Sequence, residues 1–346
     1  MGPPASPPPG LPSEEAGRLG PSYLPELAPL ARSGLLDLPR PAGGRTWRRW
    51  QCLAAWARAD LSLARIVEGH TDAAAVLSDL GRAELVRGKL LGVWAAGGRS
   101  GLGASRDAGG WSLSGTKRWC SGARLLDAAL VSAHAEDGDR LFFVDLDRPG
   151  VRPQPGSWPA LGMAASDSLD VGFDEVALDT TRAVGAPGGY LDRPGFWHGS
   201  AGVAACWLGG AEAVARPLLD LPEPSEDDHR LAHLGSVAAS LASMQAMLQS
   251  AAARFDADPK DRAGQAERTA RIVREVVEAA ATDVLQRVGR ATGAELLCHD
   301  SDHARRVADL GVYLRQSHAE SDQARLGRLV AQERGRAEHR GGKDPG

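Results

Sequence analysis

The spacing of apolar residues changes twice along this chain, and these two changes limit the folds that it can adopt. From Leu24 to about Gly88, apolar residues recur at helical spacing. Between about Lys89 and Arg193, short apolar stretches are broken by Gly, Asp and Ser, a pattern typical of an antiparallel sheet or barrel. Helical spacing returns after Arg193. The sequence therefore predicts an α+β protein, mostly α, with one β-domain between two helical domains.

The same changes divide the chain into five segments. We predict a disordered Pro- and Gly-rich tail at 1–22, an N-terminal helical domain at 23–88, a middle antiparallel β-domain at 89–193, a C-terminal antiparallel four-helix bundle at 194–335 and a polar tail at 336–346. The first tail has too little apolar surface to offset the entropy of ordering. Long helices with short joints are typical of antiparallel bundles.

Several elements carry local signals. Asp137-Gly138-Asp139 lies between two apolar runs and predicts a hairpin. Thr71 followed by Asp72 predicts that a new helix begins after Gly69. Small residues such as Gly209 permit close helix contact. The bundle helices are predicted at 199–219, 226–255, 262–291 and 303–330.

Composition excludes some classes of protein. The net charge is −4, from 40 basic and 44 acidic residues, so no positive field is available for general nucleic-acid binding. No apolar run approaches the roughly 20 residues of a membrane-spanning helix, and the N-terminal segment lacks the apolar core of a secretory signal. The four cysteines form no CxxC pair, which argues against a zinc site or disulfides. We predict a cytoplasmic protein without nucleic-acid or membrane partners.

Polar clusters elsewhere have simpler explanations than catalysis. His229 and His233 have ligand spacing, but a solvated helix face accounts for them. The cluster at 299–303 is explained by helix capping through its aspartates. The Gly-rich stretch 97–103 lacks the spacing of a phosphate loop and is interpreted as a turn. No metal site is predicted.

The most specific stretch is GGWSLSGTKRWCSGA, from Gly109 to Ala123. If the second strand continues, Trp119 and Ser121 alternate and share one face. An indole and a hydroxyl on one face suit a flat heteroaromatic ligand, because the indole covers a ring and the hydroxyl bonds a ring heteroatom. A surface hairpin with one core Trp explains the same residues, and the two interpretations remain open at this point.

This stretch resembles the acyl-CoA dehydrogenase family. The family typically has Gly-x-x-Leu-x-Gly-x-Lys, an aromatic residue, an apolar residue and Ser or Thr, and the matching residues here are Gly110, Leu113, Gly115, Lys117, Trp119, Cys120 and Ser121. Similar segments follow the family's order at 59–70, 161–178, 199–214 and 286–289. The resemblance extends over roughly 24–330.

The resemblance implies FAD between the β-domain and the bundle, and α,β-dehydrogenation of an acyl-CoA or similar acyl thioester. Trp119 would flank the flavin ring, Ser121 would bond near N5, and Gln286 with Gly289 would meet the adenosine side of a neighbour's cofactor in a homodimer or homotetramer. An electron-transfer flavoprotein or similar acceptor would take the electrons. The implied cofactor-binding residues are Trp94, Ala95, Ala96, Trp119, Cys120, Ser121, Gln286 and Gly289.

The catalytic base of the family has no match in this chain. The expected Tyr-Glu-Gly motif is replaced by VYLRQSHAESDQARLG, and the alternative position, Gly199, carries no carboxylate. Glu320, His318 and His198 are the candidates that remain. Members that act as flavin monooxygenases also lack this glutamate, and the RQSH segment resembles that branch. A monooxygenase or hydroxylase, or a non-catalytic partner subunit, is therefore the alternative to a dehydrogenase.

Overall fold

A computed structural model describes residues 21–96, 101–220 and 227–341. The predicted tail at 1–22 lies almost wholly outside the described residues, as do 342–346 of the predicted polar tail and 97–100 of the Gly-rich stretch, whereas 336–341 belong to the helix Glu320–Gly341. Within the described ranges the chain forms helices, then one sheet, then helices, so the predicted fold class is confirmed.

The N-terminal domain is helical up to Val86. Its elements are the 3-10 turns Pro21–Glu26 and Ala83–Val86 and the helices α1 (Leu27–Arg32), α2 (Thr46–Ala59) and α3 (Leu61–Asp79). Asp60 caps α3, where its carboxylate accepts the backbone N–H of Leu63 at 2.9 Å. The cap is 1% exposed, so the start of α3 is fixed inside the protein.

The predicted helix start at Thr71 is wrong, because α3 runs unbroken through Gly69 and Thr71. The Thr71 hydroxyl donates to the carbonyl of Glu68 one turn earlier, so it bonds within the helix instead of capping a new one. Continuity aligns Arg65, Glu68 and Asp72 at i, i+3 and i+7, which places them on one face.

The middle domain is an eight-stranded sheet in the order β6-β7-β3-β2-β4-β5-β8, with β1 paired to β4. The strands are β1 (Leu91–Trp94), β2 (Leu102–Asp107), β3 (Gly110–Cys120), β4 (Ala128–Ala135), β5 (Gly138–Asp145), β6 (Val151–Pro153), β7 (Leu169–Leu178) and β8 (Ala183–Val184). The predicted hairpin is confirmed, since β4 and β5 pair antiparallel up to Ala135 and Gly138. The sheet is not wholly antiparallel, because β4 pairs parallel with β1 and, at one position, with β2.

The C-terminal helices are α4 (Gly189–Asp192), α5 (Pro194–Leu219), α6 (Asp228–Ala257), α7 (Ala266–Thr292), α8 (Glu295–His299), α9 (Ser301–Tyr313) and α10 (Glu320–Gly341). The single helix predicted at 303–330 is wrong. A 3-10 turn, Leu314–Gln316, is followed by extended backbone at Ser317 and by Ala319 with φ of +42°. We call residues 314–319 the α9–α10 link.

Close packing joins the domains. A Cβ atom at Gly209 of α5 would lie 2.1 Å from the carbonyl oxygen of Ala54 in α2, so only glycine permits this approach, as the sequence predicted. Arg305 of α9 binds Asp60 at 2.5 Å and Asp309 at 3.2 Å. The Asp309 carboxylate also accepts the backbone N–H of Met163, which precedes β7. One arginine thus connects all three parts of the fold.

Helix α6 differs from the expectation that no segment resembles a membrane span. It is the one described helix with the length and apolar composition to cross a membrane, and only 17% of its most apolar window is buried. One such helix is weak evidence of a membrane protein. The exposed face of α6 nevertheless lacks a partner among the described residues.

Candidate functional site

The three parts of the fold enclose a cavity of about 380 Å³. Helix α3, the end of β1 and the end of β3 form one side, and the first turns of the C-terminal helices and the α9–α10 link form the other. The predicted site residues that line it are Trp94, Ala95, Ala96, Trp119 and His318.

Trp119 is the most exposed aromatic side chain of the cavity, at 48%. The β3–β7 register shifts between Lys117 and Cys120, and Trp119 has φ of +58°. Positive φ is uncommon for a bulky residue, and bulges redirect side chains next to functional sites. The guanidinium of Arg118 lies 4.8 Å from the indole centroid. Trp119 therefore presents a flat apolar surface to the cavity.

The predicted face shared by Trp119 and Ser121 is wrong, because the bulge interrupts the alternation and β3 ends at Cys120. Ser121 is 9% exposed and opens on a separate void of about 10 Å³. Its hydroxyl accepts from the Nε of Arg65 at 3.1 Å.

The hydroxyl of Ser121 also begins a chain of serines. It lies 2.9 Å from Ser168, which lies 2.8 Å from Ser166, which donates to the carbonyl of Met163. Because Ser166 gives its one proton to that carbonyl, Ser168 must donate to Ser166 and Ser121 to Ser168. In this arrangement the Ser121 proton is not available to a ring nitrogen.

Cys120 is fully buried, and its thiol contacts the carbonyl of Lys117 at 3.3 Å. Burial raises the pKa of this thiol well above its usual range, so it packs as an apolar group. Trp94 is also buried and donates its indole N–H to the carbonyl of Ser121 at 3.0 Å. This bond joins the end of β1, which precedes Ala95 and Ala96, to the residue that follows β3.

Helix α3 contributes charges that the sequence analysis missed. Glu68 is 4% exposed and forms an ion pair with Arg65. Burial raises the pKa of Glu68 to about 7, the nearby Asp72 carboxylate adds to this rise, and Arg65 opposes it. Asp72 itself binds Arg49 at 2.7 Å. A buried carboxyl group that titrates near neutrality is suited to proton transfer.

Position 199, where some family members have a glutamate, faces an acid from another helix. A Cβ atom at Gly199 would lie 3.3 Å from a carboxylate oxygen of Asp72. The spacing of three charged residues on one side of an apolar helix was the signal for this cluster. The sequence analysis missed this cluster because it assumed that a new helix begins at Thr71, which separates Asp72 from Arg65 and Glu68.

An aromatic group lines the helical side of the cavity. Phe196 contacts Tyr190 and Trp197 edge to face, with centroids at 5.5 and 5.0 Å. Burial raises the pKa of Tyr190 to about 12, so its hydroxyl stays protonated. The guanidinium of Arg271 lies 4.8 Å from the Trp197 ring. These residues come directly after the β-domain in the sequence, and no sequence motif marks them.

The α9–α10 link brings His318 to the cavity mouth. Its side chain is 78% exposed, and its backbone N–H donates to Asp322 at 3.2 Å. Asp322 binds Arg271 at 2.6 Å. The neighbouring Arg274 donates to the carbonyls of Gln316 at 2.8 Å and Ser200 at 2.9 Å. Helix α7 thus holds the link in place.

Besides Cys120 and Ser121, four predicted site residues lie outside the cavity. Glu320 is exposed at the start of α10. His198 is buried against Phe255 with ring centroids 4.7 Å apart, and burial lowers its pKa. Gln286 and Gly289 lie at least three turns of α7 beyond Arg274, about 18 Å away at 1.5 Å per residue. Their predicted role toward a neighbouring subunit remains a prediction.

No cluster of three or more metal-binding side chains occurs in the described part of the chain. The cluster at 299–303 is instead organised by Asp300, which caps α9 by accepting the backbone N–H of His303.

Comparisons with known proteins agree with this architecture. Residues 92–176 match the family model "Acyl-CoA dehydrogenase, middle domain". The putative acyl-CoA dehydrogenase YdbM of Bacillus subtilis is 32% identical over 123 residues, which cover 34% of this chain and 31% of YdbM. Dibenzothiophene monooxygenase of Rhodococcus erythropolis is 28% identical over 205 residues, which cover 51% of this chain and 48% of that protein. The matched regions thus span less than half of either relative.

Solved structures match over nearly the whole fold. KijD3, in complex with FMN and a dTDP-linked amino sugar, has a TM-score of 0.78 at 22% identity and covers 93% of this chain and 91% of its own. Dibenzothiophene monooxygenase TdsC of Paenibacillus sp. A11-2 has a TM-score of 0.77 at 22% identity, covering 92% and 96%. Butyryl-CoA dehydrogenase of Megasphaera elsdenii has a TM-score of 0.76 at 17% identity, covering 90% of each chain.

The resemblance inferred from the sequence is therefore confirmed: the protein carries the acyl-CoA dehydrogenase middle domain and has the acyl-CoA dehydrogenase fold.

Proposed function

We propose that this protein is a flavin-dependent monooxygenase that uses reduced flavin and oxygen to oxidise a small polar substrate. The observation that carries this proposal is that the α9–α10 link brings His318, and no unpaired carboxylate, to the cavity mouth, since the neighbouring Asp322 is bound to Arg271 at 2.6 Å. Dehydrogenation at Cα–Cβ needs a carboxylate base at that place or at position 199. The relatives and structural neighbours named as monooxygenases support the same choice.

The cavity residues fit a flavin. Trp119 offers an exposed indole on which an isoalloxazine ring would stack, and the backbone N–H groups of Ala95 and Ala96 follow β1 at the cavity edge. When bound in reduced form, the flavin would supply the electrons that activate oxygen. FAD is the cofactor implied by the family resemblance, whereas KijD3 is described with FMN. FAD would need Gln286 and Gly289 of a second subunit, and FMN would not.

Residues of this chain would transfer protons and exclude water near the flavin ring. Arg65 orients Glu68 through their ion pair and also holds the Ser121 hydroxyl. Glu68 would accept or return a proton near neutral pH. Tyr190, Phe196 and Trp197 would exclude water from the helical side.

A dehydrogenase remains the second candidate, because Glu68 is a buried carboxyl group in the cavity and is able to serve as a base. In that case the substrate would be an acyl thioester and the acceptor an electron-transfer flavoprotein. The charged residues of the cavity oppose this candidate. An apolar acyl chain beside Arg65, Glu68 and Arg274 would leave their charges desolvated without new partners.

The decisive test compares two half-reactions on purified protein loaded with FAD or FMN. We expect oxygen-dependent product formation when reduced flavin is supplied. We also expect no bleaching of the oxidised flavin by acyl-CoAs of several chain lengths under anaerobic conditions. Anaerobic bleaching would establish the dehydrogenase instead. Failure to bind either flavin would leave a non-catalytic partner subunit.

A further inference from the structure

Among the residues that the structure describes, four arginines line the cavity: Arg65, Arg193, Arg271 and Arg274. The first three have carboxylate partners. Arg65 pairs with Glu68, Arg193 with Asp79 at 2.7 Å, and Arg271 with Asp322 at 2.6 Å.

Arg274 differs from the other three. Its guanidinium donates to two backbone carbonyls and lies 4.9 Å from the ring centroid of Trp207. No carboxylate in the described ranges lies within ion-pair distance of it. Two carbonyl dipoles and an indole face do not neutralise a full charge, and burial accordingly lowers the pKa of Arg274.

The acids of the cavity supply only part of that counter-charge, because Asp322 and Glu68 oppose the fall in the pKa of Arg274 from beyond ion-pair distance. Glu68, Asp72 and Asp322 are each paired with an arginine other than Arg274. A guanidinium has five N–H donors, and the two carbonyls use only two of them. Arg274 therefore keeps donors and an unbalanced positive charge at the cavity wall.

We infer that the cavity binds a small organic oxyanion, with its carboxylate, sulfonate or phosphate group on Arg274 and its reactive end toward Trp119. This inference rests on the proposed function only in taking the same cavity as the substrate site. A planar guanidinium binds such groups through two parallel hydrogen bonds, which also fixes their orientation. An uncharged substrate of the same shape leaves the cation unpaired.

The test measures binding of benzoate and of benzamide, a neutral molecule of nearly the same shape, to the flavin-free protein. Calorimetry or the fluorescence of the cavity tryptophans reports each dissociation constant. We expect benzoate to bind at least tenfold more tightly to the unmodified protein. Arg274→Gln should abolish this preference, and Arg274→Lys should retain part of it. Arg216→Gln, which removes an exposed arginine of α5 paired with Asp220, should leave the preference intact.

Equal binding of the two ligands by the unmodified protein overturns the inference, even if Arg274→Gln fails to fold. If Arg274 only holds the link, its substitution lowers the melting temperature without changing the ratio of the two constants, which also overturns it. The assay uses neither flavin nor oxygen. A protein that prefers benzoate but forms no oxygenated product would contradict the proposed function and leave this inference standing.

Discussion

Glu68 links the site to the stability of the fold. Its folded-state pKa of about 7 exceeds the usual value of 4.5, so between these pH values the folded protein binds more protons than the unfolded chain. The stabilising contribution is complete below pH 4.5 and is lost as the pH rises through 7. We expect the free energy of unfolding to fall with pH in this window by up to about 1.4 kcal/mol per unit.

Urea denaturation from pH 5 to 8 measures this dependence. Glu68→Gln cannot titrate, so its curve should be flatter across this range. Gln249→Ala, which changes an exposed side chain that does not titrate, is the control and should leave the slope unchanged. Parallel curves for Glu68→Gln and the unmodified protein would show that Glu68 stays ionised.

Trp119 governs flavin retention in the proposed function. Trp119→Ala removes the indole surface, and stacking is worth about 1 kcal/mol beyond area burial, so flavin should bind roughly fivefold more weakly. Trp119→Phe keeps an aromatic face and should recover most of the affinity. Titration of the apoprotein with FMN and FAD measures both effects. Unchanged affinity in Trp119→Ala would place the ring elsewhere.

At the residue scale, the sequence predicted which residues line the cavity better than it predicted the chemical roles of those residues. The motif ending at Ser121 correctly placed Trp119 at the cavity. The prediction from strand alternation failed because β3 contains a bulge. No residue type in the sequence indicates the position of a bulge. Glu68 was missed because a buried acid in an apolar helix shows its role only when the surrounding elements desolvate it.

At the scale of elements, the contact between α2 and α5 allows a sharp prediction. Gly209→Ala would place a methyl group 2.1 Å from the Ala54 carbonyl, so the helices must separate. We expect a loss of about 2–3 kcal/mol, in the range typical of overpacking. Gly235→Ala on α6 is the matched control, since no atom lies within 4 Å of its added methyl. It should stabilise the protein by about 0.5–1 kcal/mol through helix propensity.

Chemical denaturation of both variants gives the comparison. Equal stability of Gly209→Ala and the unmodified protein would mean that α2 and α5 do not pack at this distance.

The elements themselves were predictable where a periodic pattern was long. The change from helix to strand near Lys89 and the return to helix near Arg193 follow from apolar spacing alone. The α9–α10 link was not predictable in this way. It contains neither Gly nor Pro, and it is held by Arg274 from a distant helix, so the break is a tertiary effect.

At the scale of the whole molecule, the exposed face of α6 allows the predicted oligomer to be tested. Ala239, Ala242, Ala246 and Ala253 form an exposed stripe of small residues along this helix. Since the family resemblance predicts a homodimer or homotetramer, we expect this stripe to meet a second copy. Ala242→Arg should shift the mass measured by light scattering to a smaller species, and Ala242→Ser should not. An unchanged mass in Ala242→Arg would exclude α6 from the interface.

The bonds of Arg305 to Asp60 and Asp309 have a kinetic consequence. The bond to Asp60 joins residues separated by more than two-thirds of the chain, so closing that loop is entropically costly. We expect the cavity walls to come together only after this long-range contact forms. A ligand that reports on the cavity should therefore regain its signal only in the last phase of refolding, after most of the helical signal has returned.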